Sequence, residues 1–362
     1  MKEVRIGIIG CGGIANNKHM PALKKIPCVK MVAFCDIIEE RALKACADFG
    51  TPDAKAYTDY KELMADPTID VVHVCTPNRS HSFITVDSLE AGKHVMCEKP
   101  MAINSEEAKK MLDAAHRTGK KLTIGYQTRQ RAEAQFLKAE AENGTFGDIY
   151  YAKATAIRRR AVPTWGVFLN EEEQGGGPLI DIGTHALDLT LWIMNNYKPK
   201  YCVGTKYHKL NKQTNQGNAW GNWDPDKFTV EDSAFGFVVM EDGSTINLES
   251  SWALNTLDAR EAVTLVCGTL AGGDMWDGVR INGIRNNSQY VLKPTLNPTG
   301  AAFFDGVADS DPETKEAVQW IDAIINDKQP CVLPEQAYVV TQILEGIYKS
   351  AESGDIYRFD NK

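Results

Sequence analysis

The first 125 residues alternate short apolar runs, rich in β-branched residues, with segments that carry Ala, Leu, Glu and Lys at helical spacing. A chain that repeats strand and helix in this way folds as a parallel sheet covered by helices, because parallel strands need crossover connections. The predicted strands are Val4–Ile9, Met31–Cys35, Val71–Cys75, His94–Cys97 and Leu122–Ile124. The pattern therefore predicts a doubly wound parallel sheet, covered by helices, in an N-terminal domain of residues 1–125.

The alternation stops after residue 125. A predicted helix over Arg129–Asn143 is followed by longer strands, separated by loops rich in Gly, Asn and Pro, at Asp148–Ile157, Ser233–Met240, Ser244–Leu254 and Arg260–Cys267. Strands joined by loops rather than by helices favour antiparallel pairing. Residues 126–362 are therefore predicted to form a second α/β domain with a large, mostly antiparallel open sheet, closed by helices over residues 312–327 and 334–353.

Composition excludes several classes of protein. Forty Lys and Arg against 48 Asp and Glu give a formal charge of -8, the wrong sign for a protein that binds nucleic acid or anionic lipid. No apolar run approaches the roughly 18 residues that cross a bilayer, so we expect no membrane partner and a cytoplasmic location. The nine cysteines contain no CxxC pair, and several lie in predicted strands. Reduced core thiols are therefore expected rather than disulfides or zinc ligands.

A nucleotide-binding fingerprint lies between the first strand and the first helix. The segment Gly10-Cys11-Gly12-Gly13-Ile14-Ala15 has the form GxGxxA. Glycines there permit a tight turn and a close approach to a pyrophosphate, whereas a glycine-rich surface turn is the alternative. The second strand ends at Asp36, whose carboxylate can accept both ribose hydroxyls and would repel a 2'-phosphate. The sequence therefore predicts NAD rather than NADP, bound by Gly10, Gly12, Gly13, Ile14 and Asp36.

Two later strand ends also point to the cofactor. Ligands of open parallel sheets bind beyond the carboxyl ends of the strands. Four residues follow predicted strands in this way and are expected to line the cofactor: Thr76, Asn78, Glu98 and Lys99. His81, in the next helix, is a further cofactor candidate, with a helix-capping or surface role as its alternative.

Lys99 is also a candidate for the reaction centre. It lies between Glu98 and Pro100, and a following proline favours an extended backbone that can hold the ammonium in a cleft. A solvated lysine is the alternative.

The second catalytic candidate is the segment GGGPLIDIGTH, residues 175–185. Asp181 and His185 are four residues apart and share one helix face, which continues through Asp188 and Trp192. The rest of this helix is apolar, so the polar stripe is predicted to line a cavity. A metal site is not expected, because it needs a third ligand and no other His or Cys lies at a recognisable spacing. A buried histidine that only satisfies a core hydrogen bond remains the alternative.

Together, GCGGIA, Glu98-Lys99-Pro100 and GGGxxxDxGxH resemble the Gfo/Idh/MocA family, named for glucose-fructose oxidoreductase and inositol dehydrogenase, over nearly the whole chain. The resemblance implies a Rossmann domain, a C-terminal α/β domain whose open sheet mediates dimers or tetramers, and oxidoreduction of a sugar or cyclitol. Carried over by motif, Lys99 and His185 become the catalytic pair and Asp181 a ligand of a substrate hydroxyl. Tyr126 and Gln127 fall where the family lines the substrate and nicotinamide pocket.

The chemistry fits these roles. Oxidising a secondary alcohol requires hydride departure to the nicotinamide and removal of the hydroxyl proton, and a near-neutral imidazole suits the second task. His185 is therefore assigned as the base. Lys99 would hydrogen-bond the reacting oxygen and stabilise its developing negative charge, while Asp181 would orient a neighbouring hydroxyl.

Further substrate contacts are predicted from Arg158 and Trp165. The arginine could hold polar sugar substituents and the indole could pack on a sugar face; a solvated strand end with a core tryptophan is the alternative. Trp220 and Trp223, in the predicted insertion loop Asn211–Asp226, are further candidates for substrate contact, and could equally anchor that loop or an oligomer contact. This loop and the Trp165 segment resemble the corresponding segments of bacterial relatives that oxidise the 3-hydroxyl of glucosides and anhydrosugars.

The leading hypothesis is an NAD-dependent sugar, glycoside or cyclitol dehydrogenase. One alternative is redox-assisted glycoside cleavage, in which the bound cofactor is returned to its starting state. Another is a non-catalytic sensor of a dinucleotide or sugar, because a fold does not fix a function.

Overall fold

The computed structural model describes residues 3–296 and 311–359. Its contacts divide the chain into two units. The first contains the described residues as far as Gln127 and the stretch from Asp311 to Tyr338, and the second contains the rest, from Thr128 and again from Val339.

The first unit is built on a six-stranded parallel sheet. Its strands are β1 (Val4–Ile9), β2 (Val29–Cys35), β3 (Lys55–Tyr57), β4 (Val71–Val74), β5 (His94–Cys97) and β6 (Leu122–Ile124). Their order, β3-β2-β1-β4-β5-β6, is that of the Rossmann fold, as the sequence predicted. Only β3 was not predicted, because its three residues are partly exposed and form no apolar run.

Helices connect these strands: α1 (Met20–Lys24), α2 (Glu39–Phe49), α3 (Tyr60–Met64), α4 (Asn78–Glu90) and α5 (Ser105–Thr118). The ends of α5 show how the sequence sets their limits. The Asn104 side chain accepts a hydrogen bond from the Glu107 amide, and Gly119 ends the helix in the left-handed conformation at φ 65°.

A nine-stranded sheet forms the second unit. Its strands are β7 (Ile149–Ile157), β8 (Pro199–Tyr207), β9 (Ser233–Met240), β10 (Thr245–Ser251), β11 (Arg260–Gly268), β12 (Ala271–Asp274), β13 (Arg280–Arg285), β14 (Ser288–Leu292) and β15 (Tyr357–Arg358). All neighbouring strands pair antiparallel except β7 and β10, in agreement with the predicted, mostly antiparallel sheet. Its helices α6 (Ala132–Glu142), α7 (Glu171–Gln174) and α8 (Thr184–Met194) precede β8, and α8 packs on β7 and β11.

Two helices close the described chain, α9 (Pro312–Ile325) and α10 (Pro334–Ser353). The sequence assigned all residues after 125 to the second domain, whereas the contacts group α9 with the Rossmann unit. The physical reason is the apolar face of α9: Ala317, Trp320 and Ile321 are buried in the same core as Ile6 and Ile8 of β1.

None of the described helices is both long and apolar enough to cross a bilayer. All nine cysteines are free, and burial raises the pKa of the Cys11 and Cys35 thiols to about 12. Five of the nine are buried, as expected of core thiols, whereas Cys28, Cys46, Cys267 and Cys331 are partly exposed. Within the described ranges, no group of three or more His, Cys, Asp or Glu residues is arranged to hold a metal ion.

Candidate active site

The fingerprint follows β1 as a turn that only glycine fits at its first position. Gly10 has φ +90°, and a Cβ there would lie 2.6 Å from the carbonyl oxygen of Cys75. At Gly12, by contrast, a Cβ would meet no protein atom within 4 Å. The turn therefore leaves open space where a pyrophosphate would bind. The fully buried Ala15 begins the π-helical turn Ala15–His19 that leads into α1.

Asp36 braces this turn. One carboxylate oxygen accepts a 2.9 Å hydrogen bond from the Cys11 amide, and the other accepts one of 2.9 Å from the Ile38 amide. Asp36 thus lies at the end of β2 beside the fingerprint, where the prediction placed the ribose. The exposed fingerprint residue Ile14 lies on the same turn, with 41% of its surface accessible.

The end of β4 adds a hydroxyl that fits a ligand. Thr76 Oγ1 is buried and has no hydrogen-bond partner among the described residues. Because a buried hydroxyl is costly to leave unpaired, its position beside the fingerprint fits contact with a bound cofactor. Asn78, which begins α4, is also buried.

His81 differs from the surface or capping residue that was its alternative role. It is buried, with Nδ1 2.8 Å from the Pro100 carbonyl and Nε2 2.9 Å from the Thr76 carbonyl. Burial lowers the pKa of His81, so the neutral imidazole donates to only one of these two carbonyl oxygens. His81 therefore lies between the loops that follow β4 and β5 and contacts both of them.

Glu98 lies in a buried ionic network of the Rossmann unit. Its Oε1 is 2.6 Å from Lys18 Nζ and 2.7 Å from His19 Nε2, and its Oε2 accepts a 3.0 Å hydrogen bond from the Lys99 amide. Burial alone would raise the pKa of Glu98, but the Lys18 ammonium and His19 hold it well below its usual range. Glu98 is therefore an ionised anchor for the backbone of the half-buried Lys99, and the Lys99-Pro100 peptide beyond it is cis.

The network has a second carboxylate that the sequence did not reveal. Glu316 of α9 lies 3.0 Å from Lys18 Nζ, and its Oε1 is buried with no hydrogen-bond partner among the described residues. Gln127 completes the group, since its Oε1 accepts a 3.2 Å hydrogen bond from Lys18. One ammonium faces two carboxylates, and burial together with Glu98 raises the pKa of Glu316 to about 7 although Lys18 opposes this.

We expect Glu316→Gln to flatten the dependence of stability on pH between about 4.5 and 7. A carboxyl group whose pKa is raised by folding holds a proton in the native state that the unfolded chain releases, so stability falls as pH rises through this window. The wild-type protein should lose up to about 3 kcal/mol more than the variant between pH 5 and pH 8 in urea unfolding. Glu313→Gln, on the same helix, is the matched control, and parallel pH profiles for wild type and Glu316→Gln would contradict the assignment.

Asp181 and His185 lie on one buried helical face of the second unit. Asp181 belongs to a π-helical turn, Leu179–Gly183, and His185 to α8, which continues it. Four residues is close to one turn in either helix type, so the two side chains share a face as predicted. Asp181 Oδ2 accepts a 3.0 Å hydrogen bond from the indole of Trp252, a partner that sequence reasoning missed.

Close contacts with a side chain and with a backbone carbonyl account for two of the glycines before this turn. A Cβ at Gly176 would lie 2.2 Å from the Tyr348 hydroxyl, and one at Gly177 would lie 2.3 Å from the Glu231 carbonyl oxygen. The buried Glu231 carboxylate accepts hydrogen bonds from the amides of Gly177 and Leu179 and from the Tyr348 hydroxyl, at 2.8, 3.1 and 2.8 Å. It caps the start of the turn that carries Asp181, so Glu231 is a positioning residue.

Asp188 does not belong to the polar, cavity-lining stripe that the sequence predicted. This residue is fully buried and binds Arg129 through two hydrogen bonds of 2.9 and 2.6 Å. Asp188 therefore does not line a cavity; it neutralises a buried arginine that also lies 5.5 Å from the Trp192 ring. Tyr126, predicted to line the substrate pocket, is only 1% exposed within the Rossmann unit.

Arg158 follows β7 and is held on two sides. Its guanidinium forms a two-pronged ion pair with Glu261 and lies 5.1 Å from the ring of Trp220. The predicted alternative for Trp165, a core tryptophan, is wrong, because 52% of its surface is exposed. Trp223 is the residue that anchors the insertion loop: it is buried and donates through Nε1 to the Asn211 carbonyl at 2.7 Å.

Comparison with known proteins agrees with both units. Models of an oxidoreductase family with an NAD-binding Rossmann fold and of the GFO/IDH/MocA C-terminal domain match residues 4–126 and 134–271. D-glucoside 3-dehydrogenase of Escherichia coli is 34% identical over 97% of this chain and 96% of its own. Myo-inositol 2-dehydrogenase of Thermotoga maritima is 32% identical over 53% and 55% of the two chains. A solved levoglucosan dehydrogenase in complex with NADH and L-sorbose superposes with a TM-score of 0.85 over all of both chains, at 20% identity. The chain is a member of the Gfo/Idh/MocA family of NAD-dependent oxidoreductases.

Proposed function

We propose that this oxidoreductase oxidises a secondary hydroxyl of a glucoside, at the 3-position, with NAD as the acceptor. The observation that carries the proposal is the Asp181 and His185 pair on one buried helix face, with Asp181 held by Trp252. The likeness to D-glucoside 3-dehydrogenase over nearly the full length of both chains supports the choice of substrate. We also propose a cytoplasmic homo-oligomer, a dimer or a tetramer.

The three reacting side chains have distinct roles in this proposal. His185 accepts the proton of the reacting hydroxyl on its imidazole, and Lys99 donates a hydrogen bond to the same oxygen as negative charge develops there. Asp181 accepts a hydrogen bond from a neighbouring hydroxyl and so fixes which carbon faces the cofactor. Trp252 donates to Asp181 Oδ2 and so holds the carboxylate in place.

NAD, when bound, supplies the hydride acceptor. The chain's own residues fit it: Gly12 leaves open space, Thr76 offers a buried hydroxyl, and Asp36 presents a carboxylate beside the turn. We propose that these residues hold the cofactor together with Gly10, Gly13, Ile14, Asn78, Glu98, Lys99 and Gln127. The contribution of His81 is then indirect, through the two loops that it contacts.

Asp36→Asn should weaken the preference for NAD over NADP. The amide keeps an acceptor for the Cys11 amide but loses the charge that repels a 2'-phosphate. We expect the ratio of kcat/KM for NAD to that for NADP to fall by about tenfold, measured with one saturating sugar. Asp53→Asn is the control, because Asp53 is exposed in the loop before β3, at the amino ends of the parallel strands, whereas Asp36 follows the carboxyl end of β2. An unchanged ratio would show that Asp36 does not face the ribose.

The proposed function is tested by following NADH absorbance when purified protein and NAD are mixed with inositols, free hexoses, anhydrosugars or methyl glucosides. We expect NADH to form with the glucosides, and analysis of the product should locate the ketone at carbon 3. NADH formation only with an inositol would show that the substrate is a cyclitol and not a glucoside. If no sugar gives NADH although calorimetry confirms NAD binding, the dehydrogenase proposal is rejected in favour of a sensor or a closed redox cycle.

A further inference from the structure

Two exposed indoles form an aromatic pair in the second unit. The ring centroids of Trp165 and Trp220 are 5.0 Å apart, with an angle of 75° between their planes. About half of each side chain is accessible, 52% for Trp165 and 43% for Trp220. Large apolar surfaces are costly to expose, so an exposed aromatic pair that is nevertheless held in place indicates a binding surface.

Hydrogen bonds between two chain segments fix this pair. The Thr164 hydroxyl donates to the Trp220 carbonyl at 2.7 Å. The side chain of Asn218 accepts from the Val162 amide at 2.8 Å and donates to the Val162 carbonyl at 3.0 Å, while the Ala219 amide donates to the Arg160 carbonyl at 3.0 Å. The insertion loop is thus joined to the segment after β7, and both indoles are carried on ordered backbone.

The same segment leads to the predicted catalytic aspartate. The Arg158 amide donates to the Ser251 carbonyl at 2.8 Å, and the Ala161 amide donates to the carbonyl of Trp252, the residue whose indole binds Asp181. The Arg158 guanidinium lies over Trp220 and is close enough to Asp181 for the two charges to interact. A continuous set of contacts therefore connects Asp181 with the aromatic pair.

We infer that Trp165 and Trp220 form an aromatic platform for a second sugar ring, the one joined to the ring that is oxidised. Because the two indoles lie nearly at right angles, this sugar would pack on the face of one and against the edge of the other. This inference rests on the proposed function and narrows its substrate to glucosides with a sugar as aglycone. The platform has the chemistry that sugars need: the C–H face of a pyranose packs on an indole while its hydroxyls meet polar groups beside the ring. Arg158, fixed by Glu261, and Arg160, whose Nη2 donates to Asn255 at 2.6 Å, supply those groups.

The test compares KM for methyl glucoside with KM for cellobiose in wild type, Trp165→Ala and Trp220→Ala. We expect KM for cellobiose to rise about tenfold in each variant, a larger rise than that of KM for methyl glucoside, which lacks the second ring. Trp220→Tyr should restore most of the loss, since it keeps an aromatic face. Tyr150→Ala is the control, because this exposed tyrosine lies at the opposite end of β7 from Arg158.

Equal changes of KM for the two substrates, or none, would overturn the platform. The platform would also be overturned if loss of the two indoles raised KM for phenyl glucoside but not for cellobiose. If the variants changed only the mass of the protein in solution, the pair would be an oligomer contact instead. Calorimetric measurement of sugar affinity tests the platform even if the proposed dehydrogenase activity is not found. If wild type oxidises no sugar, tighter binding of cellobiose than of methyl glucoside, lost in Trp220→Ala, still supports the platform, and equal affinities reject it.

Discussion

Replacing Lys99 by methionine is expected to lower kcat/KM for the sugar by about a thousandfold, a far larger effect than on NAD affinity, because the other residues that hold the cofactor remain. Methionine keeps much of the length of the side chain but cannot donate a hydrogen bond to an oxygen that becomes negative during hydride loss, and removing one such donor costs about 10² to 10³ in rate. The measurement is initial-rate formation of NADH together with calorimetric titration of NAD. Lys109→Met, an exposed lysine on α5, is the matched control.

A combined variant distinguishes a catalytic role from a purely structural one. If Lys99 and His185 act on the same oxygen, Lys99→Met combined with His185→Asn should be little slower than either single variant, because groups that act as a unit are not additive. Multiplicative losses would instead show that the two residues act independently. Full turnover in Lys99→Met with normal NAD binding would remove Lys99 from the reaction centre.

Local motifs account for most of what the sequence predicted. The fingerprint turn, the strand ends and the Asp181 helix each depend on residues that are close in sequence, so spacing alone was informative. Gly10 illustrates this: its positive φ is a property of the turn that follows β1, although the Cys75 carbonyl that it approaches lies after β4 and is distant in sequence. The order of the parallel strands then followed from the family that these motifs resemble.

Residues that position the site from a distance left no such signal. Glu231 caps the turn that begins at Leu179, and Glu316 pairs with Lys18 although almost the whole sequence separates the two residues. Neither lies in a motif, and an isolated glutamate in a sequence is normally a solvated one. Only Glu231 left an indirect signal: the adjacent Gly176 and Gly177 indicate that other groups pack closely against the backbone there.

Asp188 was misread for a related reason. Helical spacing correctly placed it on the same helix as Asp181, but spacing cannot distinguish a carboxylate that faces a ligand from one that faces an arginine. Its partner, Arg129, lies in a short 3₁₀ turn, Gln127–Gln130, where an α-helix was predicted. Both side chains are completely buried, so this pair determines stability and not substrate contact.

We therefore expect Arg129→Met to be among the most destabilising single changes in the second unit. Removing one partner leaves the Asp188 charge buried and uncompensated, which costs about 3 to 5 kcal/mol. Urea unfolding of the full chain at pH 8 measures the loss. Arg131→Met is the control, since this neighbouring arginine is only partly buried and donates to the Ala262 carbonyl.

The double variant Arg129→Met, Asp188→Leu separates the cost of the orphaned charge from that of lost packing. Arg129→Met leaves the Asp188 carboxylate buried without a partner, and Asp188→Leu replaces it by an apolar side chain of similar volume. Most of the lost stability should therefore return. If the double variant is as unstable as Arg129→Met, packing or the Trp192 contact is responsible instead.

The pH dependence of the single variant gives an independent check. Burial raises the pKa of Asp188 even against the opposing effect of Arg129, and without the arginine it should rise further. The native variant then retains a proton that the unfolded chain loses above a pH of about 4, so its stability falls as pH rises from there through the raised pKa. The deficit of Arg129→Met relative to wild type should accordingly be smaller at pH 5 than at pH 8. A deficit that does not change with pH would mean that Asp188 finds another cationic partner when Arg129 is absent.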